Sequence, residues 1–185
     1  MTIQQQLDKL VSTENAEPVK NKSGIVLGYS FHPIEVGVKF FIDNFGADLL
    51  KAINGSGVFF ATAAGQKMYE SQFGTSIKAR DYNNYGGITY GSGLKGAIGN
   101  KNGFAIFSSP YDCFYAYVNN VLKDPTKKYM SKENFLSAKT PKDQILRIAK
   151  GGYCESPPDP NDYVRPINKL IDVVTNMYPT FAKVV

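Results

Sequence analysis

Apolar residues recur at helical spacing along most of the chain, and the places where that spacing fails mark its loops and one β-rich stretch. Ile3, Leu7 and Leu10 predict a helix over 2–11, followed by a polar run over 12–23. Residues 25–31 read as a short strand or an extended cover on the core. Pro33 opens a helix to about residue 44, with Ile34, Val38, Phe41 and Ile42 on one face. After Gly46 a second short helix runs to Ile53, and Asn54-Gly55 breaks it. From 58 to 64 the residues are apolar or small almost all round, which predicts a helix that crosses the core. Ser56 is placed to cap it and Gly74 to end it. One carboxylate, Glu70, lies a turn from the end of that interior element, where an acid rarely sits without a partner or a task.

Between 86 and 107 the pattern changes. Seven glycines fall there, Asn100-Lys-Asn-Gly103 is a turn signal, and 88–90 and 104–107 flank it as candidate strands. Helices resume at Ser109-Pro110 and run to about 123; a linker over 125–130 and a short helix over 131–138, with Glu133 in its first turn, come next. Thr140-Pro-Lys-Asp143 is a strong helix start, ending at Gly151-Gly152. A turn over 153–160 leads into a last helix over 161–176, and no segment repeats. The class is α+β, mostly α, with one small hairpin lobe over about 86–107. Residues 1–31 read as an N-terminal arm and 32–185 as the domain.

Composition narrows the functions. A chain of 185 residues with 43% hydrophobic and 20% charged residues can bury a core of its own. The net charge of +5 suits an anionic partner, but the Lys and Arg residues are scattered, which argues against nucleic acid. Twelve tyrosines and twelve phenylalanines supply core and surfaces that could stack on sugars. Cys113 and Cys154 make neither a disulfide framework nor a metal site; two free thiols are expected, with a single bridge as the alternative. The one histidine, His32, precedes Pro33 and is read as structural or surface, so a histidine triad is not expected. No cofactor or metal is implied. No apolar run is long enough for membrane insertion, and the first residues lack the features of a signal peptide. Synthesis in the cytoplasm, with departure by another route, is the expectation.

Gly91-Ser-Gly93-Leu-Lys-Gly96 spells GxGxxG, yet Gly99 and the 100–103 turn follow, so no helix opens there to face a phosphate. It reads as hairpin. The segment around Glu70 carries more. Gly65-Gln-Lys-Met-Tyr-Glu70-Ser-Gln-Phe-Gly74, then Asn83-Asn-Tyr-Gly-Gly-Ile88, resembles the glucosaminidase domains of glycoside hydrolase family 73. Their pattern runs roughly Ala-Gln-x-x-x-Glu-Ser-Gly-Trp-Gly and then Asn-Asn-Leu-Phe-Gly-Ile. Residues 107–118, and Gly152-Tyr153 with Asp159-Pro160-Asn161 and Tyr163, are similar to later parts of that family, in order over about 40–174. The departures are Phe73 for Trp, Gln72 for Gly, Gly86 for an aromatic, and a longer turn after Tyr153. The family's lobe usually offers a second acid, whereas this chain has no Asp or Glu between Tyr82 and Tyr111.

The resemblance implies a lysozyme-like helical body, with the hairpin lobe flanking a cleft, that cuts the β-1,4 glycan of peptidoglycan as an N-acetylglucosaminidase. Cleaving a glycosidic bond needs a proton donor to the leaving oxygen, and Glu70 beside Met68, Tyr69 and Phe73 is placed for that in an apolar pocket. The competing structural reading pairs Glu70 with Lys67 or Arg80. Tyr153 matches a family tyrosine near the scissile bond. Tyr82, Asn83, Tyr85 and Tyr90 are candidate substrate contacts, although the tyrosines equally suit packing and Asn83 a turn. Asp81 and Asp112 are fallback second carboxylates. Without one, the substrate's N-acetyl group or a sugar hydroxyl can attack, as in lytic transglycosylases. A phage-borne lysin or tail component, or an injected antibacterial effector with a virion or secretion-apparatus partner on residues 1–31, fits this picture. A non-catalytic wall-binding or virion protein on the same fold is the rival.

Overall fold

The computed structural model of the chain describes residues 1–91, 94–124, 134–153 and 159–182. Its axis is the apolar helix α3 (Phe60–Ser71), buried at every residue except Tyr69 and Glu70. A helix with no polar face must be wrapped. Here α2 (Ile34–Ile53), α6 (Pro141–Lys150) and α7 (Pro160–Met177) pack around it. Ser56 does not cap α3: its Oγ accepts the Val58 N–H at 3.1 Å, ahead of the helix. The Phe59 N–H at the helix entry is instead taken at 2.9 Å by the buried Gln144 of α6.

Where two helices were expected on either side of Gly46, α2 is one helix of 20 residues. Val38, Phe41, Phe45, Leu49 and Ile53 form one continuous buried stripe, and that burial outweighs the roughly 1 kcal/mol helix penalty of a glycine. At the N-terminus α1 (Ile3–Ser12) is closed by a Thr2–Gln5 capping box and buries Leu7. It leads into an antiparallel hairpin of β1 (Ala16–Lys20) and β2 (Val26–Phe31), with Ala16 opposite Phe31 and Lys20 opposite Val26. The polar composition of β1 hid it. Leu7, Ala16, Tyr29 and Phe31 enter the same core as the helices, Phe31 meeting Phe40 and Phe73 at 5.3 Å between ring centres.

After α3 a short unforeseen helix, α4 (Ile77–Tyr82), starts at Ser76, whose Oγ accepts the Ala79 N–H. The lobe follows as β3 (Ala97–Lys101) and β4 (Phe104–Phe107), joined by Asn102-Gly103 with both residues at positive φ. A strand, not a helix, follows the GxGxxG match. The strand expected at 88–90 is a single bridge from Thr89 to Phe104. Asn84 moors the lobe: its Nδ2 donates to the Ile88 and Ala105 carbonyls at 2.8 and 2.9 Å. Ser109 and Pro110 begin α5 (Pro110–Ala116), which runs on into a π-helical stretch, Tyr117–Leu122. The linker expected at 125–130, Glu133 and most of the 153–160 turn lie outside the described residues; Phe135–Ser137 is a 3-10 turn. Among the described residues no helix is long and apolar enough to cross a membrane.

Candidate active site

Glu70 is on the last turn of α3, where its side chain keeps 13% exposure while Lys67, three residues earlier on the same face, has none. Both carboxylate oxygens are engaged. Oε2 accepts from Lys67 Nζ at 2.6 Å. Oε1 accepts from the Tyr163 hydroxyl at 2.6 Å and from Gln66 Nε2 at 3.2 Å. Gln66 Nε2 also donates to the Tyr163 oxygen at 2.8 Å, and its own Oε1 is held by the Tyr117 hydroxyl. The Lys67 ammonium lies 3.8 Å from the centre of the Tyr117 ring and 3.5 Å from the Tyr153 hydroxyl oxygen, the outer limit of a hydrogen bond. Helices α3 and α7, the π-helical stretch and the turn after α6 thus bring one residue each or more to a single cluster.

This differs from the apolar pocket expected around Glu70. Met68 and Phe73 line instead a hollow of about 360 Å³ under the N-terminal hairpin, with Tyr29, Phe31 and Leu170. Of the two ion-pair partners weighed from sequence, Lys67 is the one found; Arg80 donates to the Val26 carbonyl at 3.0 Å. Burial first, and then the Glu70 charge, push the Tyr163 hydroxyl well above its ordinary range, so it stays a donor. Burial likewise pushes the Cys113 thiol up to about 12, which keeps it neutral. Cys154 lies outside the described residues.

The other sequence candidates separate. Tyr153 joins the cluster. Tyr90 stands on the lobe at 49% exposure, open to a ligand. Tyr85 does not: at 3% exposure its ring is core, 4.9 Å from Phe45 and 5.1 Å from Phe114. Tyr82 is buried as well, with the Lys101 ammonium 5.5 Å from its ring centre. Asn83 ends α4 in the left-handed conformation and donates to the Phe107 carbonyl at 3.1 Å, a tie within the lobe. Asp112 accepts from the Ser108 and Ser109 hydroxyls at the start of α5, and Asp81 is exposed at the end of α4. Among the described residues no group of three His, Cys, Asp or Glu could hold a metal ion. Sequence reading passed over Tyr117 as a site residue and took Tyr69 as a wall of the Glu70 pocket, whereas Tyr69 stays 44% exposed with its ring 5.8 Å from that of Tyr163. The spacing of Lys67 to Glu70 was the available signal for the ion pair.

Gly86 abuts the pair. A Cβ there would lie 2.5 Å from Lys67 Nζ and 3.3 Å from Glu70 Oε2, so the missing side chain is the room the ammonium occupies. Gly86→Ala is therefore expected to force the two apart and to destabilise by about 1–3 kcal/mol, as overpacking does. A thermal melt checks this; an unchanged midpoint would show that the ammonium has space to yield.

The family described as mannosyl-glycoprotein endo-beta-N-acetylglucosaminidase has a model that matches residues 46–176. No curated protein sequence matches the chain significantly. Solved structures do share its fold. The glycoside hydrolase domain of Salmonella typhimurium FlgJ is 20% identical, with a TM-score of 0.56 over 77% of this chain and 91% of that one. The catalytic domain of the Listeria monocytogenes autolysin Auto is 16% identical, with a TM-score of 0.56 over 93% and 94%. A type VI secretion system effector-immunity complex from Pseudomonas protegens gives 16% and 0.55 over 76% and 93%. The fold is the mostly helical, lysozyme-like one.

Proposed function

This chain belongs to the glucosaminidase family of glycoside hydrolases, and from that footing we propose that it cuts the β-1,4 glycan strand of bacterial peptidoglycan with Glu70 as proton donor. The observation that carries the reading is Glu70 itself: a carboxylate with 13% exposure, set at a helix end among Tyr163, Gln66, Lys67 and the Tyr153 hydroxyl. Glu70 protonates the leaving glycosidic oxygen. With no Asp or Glu between Tyr82 and Tyr111, the lobe offers no second carboxylate, so the substrate's own acetamido oxygen or a sugar hydroxyl attacks the anomeric carbon. Tyr153 orients that group, and the exposed rings of Tyr69 and Tyr90 carry sugars by stacking.

The protein acts on the cell wall. Of the delivery routes, injection as an effector has a parallel in the P. protegens complex, and a blocking protein partner goes with it. A second reading, a non-catalytic wall-binding or virion protein, is favoured by one observation: both Glu70 oxygens are already engaged. Incubating the protein with peptidoglycan and weighing the soluble fragments separates the readings. Reducing N-acetylglucosamine ends are expected, and Glu70→Gln should lower their release by about 10²–10⁴-fold. Anhydro-muramyl ends would make it a transglycosylase. No release from either protein would leave the non-catalytic reading.

A further inference from the structure

Lys67 is the one cation of the cluster among the described residues, and it has no place in that chemistry so far. Its side chain has no exposure at all, and a buried ammonium is expensive unless an anion answers it. Around it stand Tyr117 from the π-helical stretch, Tyr153 from the turn after α6, Tyr163 from α7, Cys113 from α5 and the backbone at Gly86. Tyr163 and Cys113 are held neutral by burial, which leaves Glu70 as the answering charge among the described residues.

An ammonium only donates, and the three directions of its protons have three recipients here: Glu70 Oε2 at 2.6 Å, the Tyr153 oxygen at 3.5 Å and the face of the Tyr117 ring at 3.8 Å. Because Tyr153 accepts from Lys67, its own hydroxyl proton is turned away from the ammonium. We propose that Lys67 is a positioning residue that ties Glu70 to Tyr153 and so fixes the proton donor against the group that Tyr153 orients.

The inference rests on Glu70 being the proton donor. In that step the O–H bond of Glu70 breaks and its proton goes to the glycosidic oxygen. The bond from that oxygen to the anomeric carbon breaks with both electrons on the oxygen, and the acetamido or hydroxyl oxygen of the substrate supplies the new bond to carbon. Glu70 takes up that proton from solvent through its 13% exposure before the step, and the step returns it to the ion pair with Lys67 at 2.6 Å. Lys67 holds Glu70 and Tyr153 in place and, with no exposure, touches no sugar, so its loss acts on turnover and not on substrate binding.

Lys67→Met keeps the volume and removes the charge; Lys67→Gln keeps a neutral donor. For each, kcat and KM on solubilised peptidoglycan are measured beside the melting curve. The expected result is a kcat lower by about 10- to 100-fold in Lys67→Met as Glu70 loses its fixed position, a KM within about twofold of the wild type and a smaller loss in Lys67→Gln. If folded Lys67→Met turns over within threefold of the wild type, or if its KM changes and its kcat does not, Lys67 is no positioning residue. If neither variant folds, its role is structural and the inference falls. A wild-type protein that releases no fragments overturns the glycosidase reading itself, which the variants cannot mimic.

Discussion

Glu70→Gln is expected to cost the protein stability as well as activity. The substitution is nearly isosteric, so cavity effects are small. It removes the charge that answers Lys67 among the described residues, an ammonium with no exposure, and stranding one member of a buried ion pair costs about 3 kcal/mol or more. For a chain of this length that corresponds to a drop in melting temperature on the order of 10 °C. Lys67→Met is expected to cost much less, because the carboxylate it leaves behind keeps 13% exposure and two neutral donors, Tyr163 and Gln66. The double variant Lys67→Met/Glu70→Gln removes both charges and should recover most of the lost stability while remaining inactive. Thermal melts of the four proteins close this cycle. A Glu70→Gln protein that melts with the wild type would mean that the pair is not coupled.

That asymmetry shows where sequence reasoning reached and where it stopped. The α3 helix was legible because its apolar run has no polar face. The helix starts at Ser109-Pro110 and Thr140-Pro141 were legible because their cap chemistry is local. So was the family, since its motifs are short runs in order. Features set by tertiary contact were not. Gly46 breaks nothing, because the stripe from Val38 to Ile53 is buried on both sides of it. Strand β1 is polar and exists through its pairing with β2. Tyr85, a fair sugar platform by composition, is drawn inward between Phe45 and Phe114. The site shows the same division. Glu70 was singled out by its oddity on an apolar helix and Tyr153 by the family resemblance, yet the rest of the surroundings comes from Tyr117 and Tyr163, whose approach follows from tertiary packing and not from residue spacing.

What fixes Glu70 in place can be tested at Gly74, the second site where a single change should act strongly. Helix α3 ends in a left-handed turn of three residues, Gln72, Phe73 and Gly74, with φ of 51°, 58° and 81°. The Phe73 N–H returns to the Met68 carbonyl at 2.8 Å, and the Gly74 N–H to Ser71 Oγ at 2.8 Å. A Cβ on Gly74 would lie 2.3 Å from a ring carbon of Phe45, a residue packed between Phe41 and Tyr85. Gly74→Ala therefore combines about 1–2 kcal/mol for an L side chain at positive φ with about 1–3 kcal/mol for overpacking, roughly 3 kcal/mol together. The melting temperature should fall by on the order of 10 °C. Half of that cost is steric and belongs to one ring, so Gly74→Ala should be milder in a Phe45→Leu background than in the wild type. Equal losses in both backgrounds would rule out the ring contact and assign the whole effect to the backbone of the turn that stops α3 one residue past Glu70.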